Sequence, residues 1–292
     1  MGSIKTPLRY PGGKQRLWPF IHEILETNDL SDANYVEPYA GGAGVGIELL
    51  LRKLVSKIHL NDSCPAVHAF WHSILNETEA FCRKISRASL TVEEWKRQRE
   101  VFRNRHDADR FDLGFAMFFL NRCNRSGILG AGVIGGMDQT GNWKIDARFS
   151  RNDLINRIEA IAAEKSSIRL RNWDAERFLL KYVSRLPMET LVYCDPPYFN
   201  KADRLYPNHY TPADHSRIAK VIQGQVKVPW VVSYDACGEI VKNYSKRPMI
   251  RYDIRYSAGK ASKGTELFIF SDKTQIPAES SLPAIQQALS VA

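Results

Sequence analysis

Asp195-Pro196-Pro197-Tyr198 directly follows the apolar run Leu191-Val192-Tyr193-Cys194, so it sits where a strand gives way to a loop. The two prolines have no N–H to donate and leave carbonyl oxygens exposed beside a carboxylate. Such a loop is rich in acceptors. An exocyclic amine conjugated to a purine ring is a poor nucleophile. A carboxylate and a carbonyl that accept its two N–H groups favour a tetrahedral nitrogen, whose lone pair can attack a methyl sulfonium in line. Tyr198 adds an aromatic face on which a base swung out of a duplex can stack. The competing reading is a proline turn beside a core tyrosine.

Two further spots could serve such chemistry. Asn34 to Tyr39 reads as a short strand that ends in the small-residue turn Ala40 to Gly46, ahead of the helical run Ile47-Glu48-Leu49-Leu50-Leu51. A turn of small residues lets a ligand approach the backbone closely. Gly41-Gly42-Ala43-Gly44-Val45-Gly46 contains no G-x-G-x-x-G, and Gly12-Gly13-Lys14 fails the P-loop pattern because Gln15 follows the lysine. Asp62 closes the second strand, Lys57 to Asp62, about 20 residues beyond the turn, where an acid can hold ribose hydroxyls. Taken alone, the glycines also suit a plain tight turn with no ligand, and Asp62 by itself does not decide the matter.

The elements that must position these residues alternate. Helices are expected over Gln15 to Leu25, Ala175 to Ser184 and Pro212 to Gln225. Strands are expected at Ile168 to Arg171, Thr190 to Cys194 and Val228 to Ser233, with a final strand pair inside Arg247 to Phe270. Strands separated by helices imply an α/β fold with a mainly parallel sheet covered on both faces. Strand signals nearly vanish from Cys64 to Ser167, where Val92 to Arg105 and Arg110 to Leu120 are helical and Ser126 to Gly136 is glycine-rich. The expected organisation is a discontinuous catalytic domain, 1–63 plus 168–275, a mostly helical insert, 64–167, and a loosely attached tail, 276–292.

Composition narrows the class. With 44% hydrophobic and 25% charged residues the chain has the balance of a soluble globular protein. No apolar run approaches the roughly 18 residues of a membrane span, and residues 1–14 lack a signal-peptide pattern, so a cytoplasmic protein is expected. The 5 cysteines are scattered without a Cys-x-x-Cys pair, which points to reduced structural thiols and no zinc. His68 and His72 lie one helical turn apart without an acidic or cysteine partner nearby, and no metal is expected. A net charge of +9 favours polyanionic partners.

The order of these motifs resembles the Dam-type DNA adenine methyltransferases over nearly the whole chain. Thr6-Pro7-Leu8-Arg9-Tyr10-Pro11-Gly12-Gly13-Lys14 is similar to that family's amino-terminal cofactor motif, which implies that Tyr10 and Lys14 contact S-adenosylmethionine. Val36-Glu37-Pro38-Tyr39-Ala40-Gly41-Gly42-Ala43-Gly44 resembles its main cofactor loop, and Leu60-Asn61-Asp62 its ribose-binding strand end. The loop reads Gly-Gly-Ala-Gly where Gly-Ala-Gly is commoner, so a shifted turn with binding retained is expected. Asn172-Trp173-Asp174 followed by Phe178 resembles the motif that holds the cofactor's adenine, and Asp195 to Tyr198 the catalytic motif. The resemblance implies a Rossmann-like S-adenosylmethionine-dependent methyltransferase, acting on adenine N6 in double-stranded DNA by base flipping.

Phe118-Phe119-Leu120-Asn121-Arg122-Cys123-Asn124-Arg125-Ser126-Gly127 resembles the family's recognition hairpin. Because arginine pairs with guanine and asparagine with adenine, Asn121, Arg122, Asn124 and Arg125 are candidate DNA contacts. Helix capping plus solvated charge is the plain alternative. Trp143 to Phe149, with Lys144 and Arg148, and the basic turn with Lys260 and Lys263 are candidate phosphate grips; Lys96 to Arg99 and Arg103 to Arg105 read equally as a solvated helix face. Asp ahead of the Pro-Pro pair favours adenine N6 over cytosine N4. Methylation of RNA or of protein glutamine, and a catalytically silent DNA-binding module, are the other readings. A monomer in solution is expected.

Overall fold

The central strands are largely apolar and almost wholly buried, with helices on both of their faces. In the computed structural model, which describes residues 6–9, 14–199, 210–256, 262–278 and 285–289, β4 (Thr190–Cys194) and β5 (Trp230–Asp235) are buried at every position. β1 (Asn34–Glu37) is buried at all but its first. Runs of this kind belong to parallel strands in the middle of a sheet. Alternate residues feed two cores. Leu191 and Tyr193 join Tyr35, Ile58 and Leu60 on one side, while Val192 and Cys194 join Val36, Val232 and Tyr234 on the other.

The sheet has eight strands in the order β3-β2-β1-β4-β5-β7-β6-β8. β2 (Lys57–Asn61), β3 (Ile168–Arg171), β1, β4 and β5 are parallel. β6 (Met249–Tyr256) and β7 (Ser262–Phe270) form an antiparallel hairpin, with β7 against β5. The residues expected to form a loose tail supply β8 (Ile285–Leu289), which extends the edge antiparallel to β6. Strand order reverses between β1 and β4, and the crevice at the carboxyl ends of those two strands is where an open α/β sheet takes its ligand.

Helices α1 (Trp18–Thr27) and α2 (Gly44–Leu51) pack against each other on one face. On the opposite face lie α8 (Ala175–Lys181), α9 (Pro212–Gln225) and α10 (Gly238–Asn243). Between β2 and β3 the chain makes five helices: α3 (Pro65–Asn76), α4 (Thr78–Arg87), α5 (Val92–Arg103), α6 (Arg110–Cys123) and α7 (Arg151–Ala163). Their centre is aromatic, with Phe70 stacked on Phe118 at 5.9 Å and Phe81 edge-on to both. Gly114 lets α6 approach α3 closely, since a Cβ there would lie 2.7 Å from the carbonyl oxygen of Ala69. α3 touches β3 and α7 touches α2, so this helical region shares its core with the sheet.

Candidate active site

The turn after β1 is held rigid from several directions. Gly41 and Ala43 both adopt left-handed angles, with φ of 45° at each. That is a strained choice for alanine, and it turns the chain directly into α2. Trp71 donates its indole N–H to the Gly41 carbonyl at 2.9 Å, and Thr6 donates its hydroxyl to the Gly42 carbonyl at 2.6 Å. The Gly41 N–H donates to Asp62 Oδ2 at 2.9 Å, while Asp62 Oδ1 accepts the Cys64 N–H at 2.9 Å. The acid at the end of β2 thus braces the glycine turn. Burial pushes its carboxyl above the usual range, although those two N–H groups pull it back.

Glu37, at the end of β1, is buried with 5% exposure and accepts the Gly46 N–H at 2.9 Å. Gly46 is the residue that lets this carboxylate lie against α2, because a Cβ would meet Glu37 Oε1 and the Tyr35 ring at 3.2 Å. Burial raises the Glu37 carboxyl to about 8, against the hydrogen bond from Gly46.

Across the switch point, Asp195 emerges from β4. Its Oδ1 accepts Ser233 Oγ at 2.6 Å and lies 3.1 Å from Lys14 Nζ. Oδ2 makes no hydrogen bond to a described residue. Burial pushes Asp195 above the ordinary carboxylate value, Lys14 pulls it down, and the nearby Glu266 charge adds to the rise. Lys14 also lies 2.5 Å from Glu266 Oε2. Burial alone would favour neutral lysine, but Asp195 and Glu266 outweigh it and hold the ammonium well above its usual value. Burial likewise acts upward on Glu266, yet Lys14 and its hydrogen-bond donors hold it below the ordinary value.

The glycine turn, Glu37, Asp62, Lys14 and Asp195 border one cavity of about 210 Å³, room for on the order of ten waters, while Ser233 and Glu266 stand behind its wall. Lys14, Glu37, Tyr39, Ala40, Gly41, Gly42, Gly44, Asp62, Asp195 and Pro197 all line it, with Leu8, Val67, Ile128 and Leu129 as apolar wall. The structure therefore brings together most of the residues picked out in the sequence. Tyr10 and Lys260 lie outside the described residues, as does the side chain of Lys263.

Several expected positions differ. Tyr198 does not offer an open stacking face: it is 3% exposed, its hydroxyl donates to Glu266 Oε1 at 2.7 Å, and Lys14 sits 5.4 Å from its ring. Asp174 and Phe178 do not border the cavity. Asp174 caps α8 by accepting the N–H groups of Glu176 and Arg177, and Phe178 stacks on Tyr182 in the opposite core. Pro38 supplies a carbonyl to Asn61 Nδ2 at 3.0 Å. Pro196, like Tyr198, is absent from the cavity wall.

Asn121, Arg122 and Asn124 are buried and bonded within the chain, and Asn121 borders the cavity. Arg122 donates to the carbonyl of Arg148 at 2.6 Å, and Asn124 accepts the Trp95 indole N–H at 2.6 Å while donating to the carbonyls of Ile128 and Leu129. Arg125, Lys144 and Arg148 are exposed. They share the surface of that loop with Met137 and with Trp143, which is 68% exposed and lies under the Arg148 guanidinium at 5.8 Å. Sequence reasoning missed Ser233 and Glu266. The signal for Glu266 was a carboxylate opening the otherwise apolar Leu267-Phe268-Ile269-Phe270.

A parallel sheet closed by a reversed hairpin, with a glycine turn after β1, an acid ending β2 and Asp-Pro-Pro-Tyr after β4, defines a Rossmann-like methyltransferase. Residues 10–258 match the model of the D12 class N6 adenine-specific DNA methyltransferases. The chain belongs to that family and is a DNA adenine-N6 methyltransferase. It is 24% identical over 210 residues to the Type II methyltransferase M.MjaIII of Methanocaldococcus jannaschii, covering 67% of this chain and 70% of that protein. Among solved structures it is similar to the methyltransferase PH1948 of Pyrococcus horikoshii, with 9% identity, coverage of 90% and 85%, and a TM-score of 0.43. A second is the rRNA methyltransferase aviRa of Streptomyces viridochromogenes, with 12% identity, coverage of 90% and 86%, and a TM-score of 0.36. Among the described residues no helix is long and apolar enough to cross a membrane, and no group of three or more His, Cys, Asp or Glu residues could hold a metal ion.

Proposed function

We propose that the chain methylates adenine N6 in double-stranded DNA with S-adenosylmethionine, on a base flipped out of the duplex and placed against Asp195. The observation that carries this reading is the cavity wall, which joins the pinned glycine turn and Asp62 to Asp195 and Pro197. The wall suits the cofactor. Gly44 and Val45, which open α2, line the cavity, and a helix amino terminus suits a carboxylate; Asp62 is placed for ribose hydroxyls, and Leu8, Val67, Ile128 and Leu129 suit an adenine ring. When bound, the cofactor supplies an electrophilic methyl group on a sulfonium.

The rest is done by the chain. Ser233 and Lys14 grip Asp195 through Oδ1, which leaves Oδ2 to accept one amine N–H. A proline carbonyl of the same loop accepts the other. The two bonds draw the nitrogen out of conjugation and aim its lone pair in line at the methyl group. The Lys14 ammonium opposes the penalty of burial on Asp195 and so favours its carboxylate form, which can take the proton the amine sheds. Residues 64–167 act as the target-recognition region and 1–63 with 168–275 as the catalytic domain. The protein works as a monomer in solution. Arg125, Lys144 and Arg148 grip phosphate, with the Met137 and Trp143 surface beside them.

Digestion of unmethylated genomic DNA to nucleosides after incubation with the protein and labelled S-adenosylmethionine tests this reading. N6-methyladenine is expected, and Asp195→Ala should lower its yield by more than about a thousandfold with cofactor affinity within about threefold. N4-methylcytosine in its place would overturn the base assignment, and undiminished turnover in Asp195→Ala the mechanism.

A further inference from the structure

Glu266 is buried on β7 and uses both oxygens in the site. Oε1 accepts the Tyr198 hydroxyl at 2.7 Å, and Oε2 accepts Lys14 Nζ at 2.5 Å together with the Tyr252 hydroxyl. Strand register explains the meeting, since Glu266 lies opposite Tyr252 on β6 and Asp235 on β5. One carboxylate with 0% exposure thus ties together the amino-terminal segment, the Asp-Pro-Pro-Tyr loop and the closing hairpin. A buried charge is expensive to keep, and replacing such a group with apolar residues is often neutral or better for stability. Its presence therefore asks for a functional reason.

From this geometry we infer that Glu266 is a positioning residue for methyl transfer, fixing the Tyr198 ring and the Lys14 ammonium so that Lys14 and Ser233 can hold Asp195 through a single oxygen. The inference rests on the methyl-transfer reading above. Tyr193 completes the arrangement, donating its hydroxyl to Ser233 Oγ at 2.9 Å while Ser233 donates to Asp195. Without Glu266, Tyr198 loses this hydrogen bond, and Lys14 keeps Asp195 as a carboxylate partner.

The pH response has a definite sign. Among the described residues, the charged and titratable groups around Asp195 include Lys14 on the amino-terminal segment, Glu266 on β7, Asp235 on β5 opposite it, Tyr252 on β6, Tyr193 and Cys194 on β4, and Glu37 and Tyr35 on β1. The negative charge of Glu266 raises Asp195 and also engages the Lys14 ammonium. Removing it moves Asp195 downward on both counts.

The test compares wild type with Glu266→Gln, Glu266→Asp and Tyr252→Phe, using labelled S-adenosylmethionine and unmethylated genomic DNA fragments. Glu266→Gln is expected to bind cofactor within about threefold of wild type, to lose about thirtyfold in kcat, and to move the acid limb of the pH–rate profile down by about one unit. Glu266→Asp, which keeps the charge on a shorter arm, should keep the acid limb in place while losing rate. A kcat within about threefold and an unmoved limb in Glu266→Gln would overturn the inference, as would a loss accounted for by weaker cofactor binding. If Glu266→Gln does not fold, Tyr252→Phe decides: a loss of about five- to tenfold in kcat at an unchanged melting temperature supports the positioning role, and an unchanged kcat refutes it. Failure of the wild type itself to form N6-methyladenine would overturn the functional reading, which is a different result from a silent Glu266.

Discussion

Replacing Asn121 by alanine separates an internal strut from a DNA contact. The side chain is 1% exposed. Its Oδ1 accepts the Arg9 N–H at 2.7 Å, and its Nδ2 donates to the carbonyls of Arg9 at 2.7 Å and Gly127 at 2.9 Å. These bonds join the end of α6 to the amino-terminal segment and to the loop that brings Ile128 and Leu129 to the cavity. Three bonds at about 1 kcal/mol each, with three backbone groups left wanting partners, set the destabilisation at about 3 kcal/mol. For a chain of this size that is about 6 °C in Tm. Thermal melting and urea titration would read it. Cofactor affinity should fall about tenfold as that wall loosens, while duplex affinity of the folded fraction changes less than about threefold. A variant that melts like wild type but binds duplex DNA tenfold or more weakly would refute the argument and restore Asn121 as a base or phosphate contact.

Asp62→Ala removes the proposed ribose ligand and the brace of Gly41 together, so the dissociation constant for S-adenosylmethionine should rise by about a hundredfold, measured by equilibrium dialysis; an unchanged constant would sink the ribose assignment. Lys144→Ala and Arg148→Ala should each weaken duplex binding about equally across sequences and lower the slope of log K against log salt by about 1, measured by fluorescence anisotropy. A loss confined to one target sequence would make them base readers. Glu37 is held at about 8 against an ordinary 4.5, so the folded state keeps a proton that the unfolded state gives up. Stability should therefore fall as pH rises between those values, by up to about 1.4 kcal/mol per unit. Glu37→Gln should flatten that fall in urea midpoints, and parallel curves would show that Glu37 does not titrate in this window.

What could be read from the sequence was local. β4 and its Asp-Pro-Pro-Tyr loop, the turn at Gly41 to Gly44 and the acid ending β2 announce themselves through apolar runs, small residues and prolines within a few positions of one another. Even the final hairpin is visible that way. What could not be read depends on partners far along the chain. The Asn-Arg pairs at the end of α6 look like a polar recognition element, yet Arg9, 112 positions from Asn121, gives one of them an internal partner, and the Arg148 and Pro7 carbonyls do the same for Arg122. Asp174 is legible in a second way: an acid just ahead of a helical run is an N-cap pattern, and Asp174 accepts the N–H groups of Glu176 and Arg177. Ser233 and Glu266 have no motif of their own because their roles arise only when β5 and β7 pair and bring them to Asp195. The motif sets where the Asp195 carboxyl stands, while strand pairing brings Ser233, 38 positions away, to its Oδ1. If Asp195 is the reacting group, as proposed, a reading that stops at the tetrapeptide leaves out the groups that hold it.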